Sequence, residues 1–140
     1  MNRSKKIALI STRPHKTNVQ LSNELKNSEI SLLNYPLTEI YPLNNYQIFD
    51  ATIENLKNYQ HVIFISTNAV HFFLERLKKL SQGIPKNTTI SSIGPTTKIL
   101  LEKHLSLDVH CPVKTFDSEN LLKEEIFSNV KDKKILIKLF

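Results

Sequence analysis

"VIFISTNAVHFF" (Val62–Phe73) decides the fold. Val62–Ile65 are four apolar residues in a row, with none of the alternation of a sheet face open to water. That spacing predicts a short strand covered on both sides. Ser66-Thr67-Asn68 follows at once, and these are residue types that cap helix starts. Val70, Phe73, Leu74, Leu77 and Leu80 then recur at helical spacing until Gly83 and Pro85 break the pattern. The stretch is one strand-to-helix step, pivoting on three small hydrogen-bonding side chains.

The same step recurs on either side. "KKIALIS" (5–11) reads as a strand ending at Ser11-Thr12-Arg13-Pro14, and Val19, Leu21 and Leu25 predict a helix over about 15–27. "TTISSIG" (88–94) reads as a strand ending at Gly94-Pro95-Thr96-Thr97. "PTTKILLEKHL" (95–105) continues as a helix, with Pro95 in the first turn, where a missing N–H has no cost. Between them, 28–43 is extended, held out of any helix by Pro36 and Pro42. Ile48, Ile53 and Leu56 suggest a further helix. After "SLDVHC" (106–111), read as a strand, Asp117-Ser118 opens a helix expected to run to about Ser128. "KKILIKLF" (133–140) is expected to be the last strand. Alternating strands and helices imply βαβ units, a mostly parallel sheet with flanking helices and right-handed crossovers.

Bulk properties narrow the function classes. The chain has 140 residues, 40% hydrophobic and 23% charged, which suits one globular core. Its apolar runs, such as Ile7–Ile10, are far too short to span a bilayer, and no secretory h-region follows the basic start. The single cysteine, Cys111, excludes an internal disulfide and fits a reducing compartment. The net charge of +6 comes mainly from lysines scattered along the chain, including Lys26, Lys57, Lys98 and Lys123. A nucleic-acid footprint would need a clustered basic stripe with interleaved aromatics, so neither nucleic acid nor membrane is an expected partner.

Three strands thus end at hydroxyl-bearing turns that begin helices. In a parallel sheet such turns lie on the carboxyl edge, where open α/β sheets bind ligands. Free N–H groups at a helix start favour anions, and small hydroxyls add hydrogen bonds without filling the space. Plain helix capping explains any one turn equally well. Only Gly83 and Gly94 are present, so neither a dinucleotide fingerprint nor a Walker A loop can be built. The five histidines show no metal-ligand spacing. No acidic residue occupies the three turns, which rules out a receiver-type site.

"LISTRP", "YPLTEIYPL", "IFISTNAVHFF", "SSIGPTTKILLEK", "CPVKTFDSENLLK" and "KKILI" follow one another in the order seen in the uroporphyrinogen-III synthase family. The chain resembles that family over essentially its whole length. The resemblance implies a three-layer, flavodoxin-like α/β fold, one half of a two-domain swapped synthase. It implies cyclisation of hydroxymethylbilane to uroporphyrinogen III with inversion of the last pyrrole ring, a lyase reaction of haem biosynthesis in the cytoplasm. No cofactor and no metal are implied. The enzyme's task would be to hold a chain that otherwise closes by itself to the wrong isomer. Residues matching the family's cleft are Thr12, Arg13, Ser66, Thr67, Asn68, Gly94 and Thr96, with Thr97 matching the threonine nearest the reacting end.

Family members are nearly twice this length. The expected organisation is therefore a first βα unit over 1–34 belonging to the family's split domain, an extended linker over 35–45, and a middle domain over 46–140 incomplete at its C-terminus. The expected partners are the linear tetrapyrrole and a separately encoded second half. Without that half the chain is expected to be a weakly active monomer prone to associate. The alternatives are a non-catalytic remnant and an α/β module binding another small polyanion.

Overall fold

The computed structural model describes residues 7–138, except the side chains of Lys16, Thr17 and Gln20. Lys5, Lys6, Leu139 and Phe140, at the ends of the first and last expected strands, lie outside that range. The chain divides into two compact units, residues 1–43 and 44–140.

In the first unit, strand β1 (Ile7–Ser11) leads through a 3-10 turn (His15–Asn18) into helix α1 (Val19–Leu25) and then strand β2 (Ile30–Asn34). β1 and β2 pair in parallel with Ile7 beside Ile30 and Ser11 beside Asn34. The extended stretch expected over 28–43 is thus partly a strand, and the unit is a complete βαβ step. Two strands and one short helix bury little. Ile7, Ile10, Val19 and Leu33 are all more than half exposed, while Ser11 and Asn18 are buried. These two polar groups satisfy each other: the Ser11 hydroxyl donates to the Asn18 side-chain oxygen at 2.8 Å. The Asn18 amide in turn donates to the Asn34 side chain at 2.8 Å. One asparagine therefore ties the carboxyl ends of both strands to the helix start.

In the second unit, helix α2 (Gln47–Glu54) precedes strand β3 (His61–Phe64), helix α3 (Thr67–Lys79), strand β4 (Thr89–Ser92) and helix α4 (Pro95–Leu105). A four-residue helix α5 (Ser118–Leu121), a 3-10 turn (Glu125–Phe127) and strand β5 (Ile135–Lys138) complete it. The sheet order is β4-β3-β5, all parallel. The fold class read from the sequence, α/β with a parallel sheet between helices, is what forms.

Alternation along β3 divides the core between the two faces. Val62 and Phe64 join Ile90 and Leu136 under α2, α3 and α4, and Ile63 joins Ile135 beneath Leu121 and Phe127. Phe64 and Phe73 meet edge-to-face at 5.0 Å, anchoring α3 on β3. Arg76 shares the inner stripe of α3 and is buried, but its guanidinium forms a two-pronged ion pair with Asp50 of α2. The Tyr46 ring stacks 4.2 Å away. With only two glycines in the chain, Ser81 and Ser106 take the left-handed positions that end α3 and α4, where glycine is usual.

Two expected elements are corrected. "SLDVHC" contributes only an isolated bridge, His110 beside Ser91, and not a full strand. Ser106 and Asp108 are exposed and only Leu107 between them packs on the core, which leaves too little chain in register for a ladder. The helix expected over 118–128 breaks after Leu121, with Glu124 extended at ψ 144°. Leu121 and Phe127 both pack on the sheet. Six residues apart, they would face different sides of a continuous helix at about 100° per residue, so burying both requires the break.

Candidate functional site

Phe64 stands opposite Ser92 in the β3–β4 register, so both strands leave the sheet at the same carboxyl edge. The Ile93 N–H donates to the Phe64 carbonyl at 3.2 Å, extending the pairing one residue further. The two turns that follow are consequently neighbours. Ser66 caps α3, its hydroxyl accepting the Ala69 N–H at 3.1 Å, and Thr67 and Asn68 are half-buried in the first turn.

The start of α4 is less occupied. Its cap is Gly94, with no side-chain hydrogen bond, and Pro95 carries no N–H. The N–H groups of Thr96 and Thr97 therefore stand free of any capping side chain at the positive end of an eleven-residue helix. A Cβ at Gly94 would meet nothing within 4 Å, so space lies open over this helix start. Ser92 beneath it donates its hydroxyl to the Gly94 carbonyl at 3.2 Å, holding the turn. Thr96 is exposed, whereas the Thr97 side chain is only 5% exposed and sits behind the turn.

The structure thus brings Ser66, Thr67, Asn68, Gly94, Thr96 and Thr97 to one sheet edge. Thr12 and Arg13 follow β1 in the first unit and are exposed; the Thr12 carbonyl accepts the Leu37 N–H at 3.1 Å. The three turns read from the sequence do not share one sheet, because among the described residues β1 pairs only with β2. Among the described residues no group of three His, Cys, Asp or Glu side chains could hold a metal ion, and no helix is long and apolar enough to cross a membrane.

The sequence reading passed over two features near this edge. Lys138 ends β5 beside Phe64, with its ammonium 3.4 Å from the centre of the Phe49 ring. Burial pushes its pKa down to about 8. The other is the 112–117 loop. Cys111 donates its thiol to the Ile93 carbonyl at 3.6 Å, and the Ser92 N–H donates to the His110 carbonyl at 2.8 Å. The loop therefore springs from the same edge, next to Gly94. "HCPVK" could have signalled this, since proline follows a strand-like run as glycine and proline do at 94–95.

A parallel sheet whose adjacent strands feed hydroxyl-bearing helix starts defines a class: an open α/β domain, of the architecture that binds ligands at its carboxyl edge where it binds them. A family model described as "Uroporphyrinogen-III synthase HemD" matches residues 19–138, and the chain belongs to that family. It is 29% identical over 116 residues to a uroporphyrinogen-III synthase of Chlorobaculum parvum, covering 81% of this chain and 45% of that protein. It is 26% identical over 129 residues to a porphyrin biosynthesis protein HemD of Ruminiclostridium josui, covering 88% of this chain and 25% of that protein. A uroporphyrinogen-III synthase of Proteus mirabilis is 23% identical over 131 residues, covering 94% of this chain and 66% of that protein. The chain thus spans about half the length of the first of these relatives.

Proposed function

We propose that the edge formed by Ser66–Asn68 and Gly94–Thr97 is one wall of a uroporphyrinogen-III synthase cleft. Its ligand is hydroxymethylbilane, a flexible polyanion bearing an acetate and a propionate on each ring. The observation that carries this reading is the open α4 start, where the Thr96 and Thr97 N–H groups have no capping side chain and nothing stands over Gly94. Carboxylates suit such a site. The hydroxyls of Ser66, Thr67 and Thr96 supply directional contacts, and Thr97 fixes the turn nearest the reacting end. The dehydrated bilane is a stabilised cation that closes unaided, so the protein's contribution is posture: limiting the conformations from which the chain closes.

One wall binds but does not enclose. The chain alone therefore holds the bilane without directing it fully to the type III isomer, which requires a facing wall from a second half. The test is a coupled assay in which hydroxymethylbilane is generated and the chain is present in excess. Slower spontaneous closure, with the type I isomer still predominant, is the expected result. A closure rate unchanged by saturating chain contradicts the binding reading, and a product that is nearly all type III contradicts the one-wall reading.

A further inference from the structure

A cavity of about 310 Å³ opens beside the candidate edge. Pro112, Val113 and Lys114 line it from the loop, and Lys123, Glu124 and Glu125 from the turn after α5. Its loop wall starts near that edge, because Pro112 follows Cys111, which is tied to Ile93 next to Gly94. We propose that this cavity is a subsite for a single acid-bearing pyrrole ring of the bound ligand, with Lys114 taking a carboxylate arm and Val113 lying against the ring. The proposal rests on the cleft reading above and extends it to residues outside the two helix starts.

Size, charge and polarity all argue for one ring. Ligand pockets run from about 300 to 1,000 Å³, and this one lies at the lower limit, enough for one substituted ring and too small for four. Neither Lys114 nor Lys123 forms an ion pair among the described residues. Lys123 lies near Asp117, whose carboxylate is already held by the backbone and side-chain N–H groups of Asn120 at 2.8 and 2.7 Å. The Asp117 charge attracts Lys123, whereas Lys114 forms no ion pair among the described residues and is the cation assigned to the ligand. Two carboxylates, Glu124 and Glu125, share the lining. A plain inorganic anion would be opposed by them. A pyrrole presents acid arms for the lysine and a ring N–H for a glutamate, so it matches both halves of the lining. Val113, in the lining, is 82% exposed, which leaves apolar surface for the ring face.

The test is an amide NMR titration of the whole chain with a monopyrrole carrying one acetate and one propionate arm, alongside inorganic phosphate and uroporphyrin I as an octacarboxylate. Shifts at residues 113–115 and 123–125 are expected with the monopyrrole and not with phosphate. Lys114→Ala should weaken monopyrrole binding about fivefold or more, whereas Lys103→Ala, in the last turn of α4, should leave it unchanged. Shifts from uroporphyrin I at 66–69 and 94–98 with none at 112–125 would overturn the subsite and leave the cleft reading standing. No shifts at either place would overturn both. Equal response to phosphate would overturn the pyrrole assignment.

Discussion

Phe64 and Ser92 are register partners in neighbouring parallel strands, and this places the Ser66 cap and the open Gly94 turn side by side. The shared edge is a consequence of topology: β3 and β4 are consecutive, joined by α3, so both helix starts emerge at the same end of the sheet.

Capping and ligand binding should separate by mutation. Ser66→Ala removes the acceptor for the Ala69 N–H and should cost about 1 kcal/mol of stability in urea denaturation. Thr96→Ala removes an exposed hydroxyl and should leave stability within about 0.5 kcal/mol while weakening tetrapyrrole binding. A Thr96→Ala variant that binds like the parent would show that this hydroxyl faces no ligand.

His61 should make stability fall in mild acid. It is buried at the start of β3, its ring 5.2 Å from Phe127 and its Nδ1 without a hydrogen-bond partner among the described residues. Burial, and then the nearby charges of Lys133 and His110, lower its pKa. The folded state therefore binds fewer protons than the unfolded chain, and stability rises with pH. The contribution is present above the unfolded value of about 6.5 and is lost as pH falls below it. Between pH 7.5 and 5, denaturation midpoints should drop more for the parent than for His61→Leu. Parallel pH curves would contradict this.

Lys138 should behave in the same direction at higher pH. Its folded pKa of about 8 lies below the ordinary lysine value of 10.5, so the charged form destabilises the fold at neutral pH and the penalty fades as pH rises between the two values. The full shift would correspond to about 3 kcal/mol, but a half-exposed ammonium over an aromatic face retains much of its solvation. Lys138→Met should therefore stabilise by about 1 kcal/mol at pH 7 and by nearly nothing at pH 11. Equal gains at both pH values would show that packing and not charge is responsible.

The strand–helix alternation was legible because β3 is a short apolar run closed by Ser66-Thr67 and β4 is closed by Gly94-Pro95 just before its helix. What escaped the sequence depended on tertiary contacts. "SENLLKEEIF" has continuous helical character, and only the need to bury Leu121 and Phe127 against Ile63 breaks it. Arg76 falls on the inner stripe of α3, where its charge looks misplaced until Asp50, 26 residues earlier, is found beside it. The candidate site was readable as residue types at strand ends. Its sharing of one sheet was not, because the turn after β1 has the same chemistry but a different sheet.

The first unit should open far more readily than the second. Its apolar side chains, Ile7, Ile10, Val19 and Leu33, are exposed, and a two-stranded sheet is marginal alone. Native-state hydrogen exchange in dilute chain should show residues 7–11 exchanging at least about a hundredfold faster than 62–64. Protection equal to that of β3 in a verified monomer would contradict it.

The most direct test of the central claim is an amide chemical-shift map of the chain titrated with uroporphyrin I, read at low and high salt. The largest changes should fall on residues 66–69 and 94–98 and should weaken as salt rises, as expected for carboxylates held by helix starts. Changes confined to other surfaces, or none at these two turns at saturating ligand, would contradict the account.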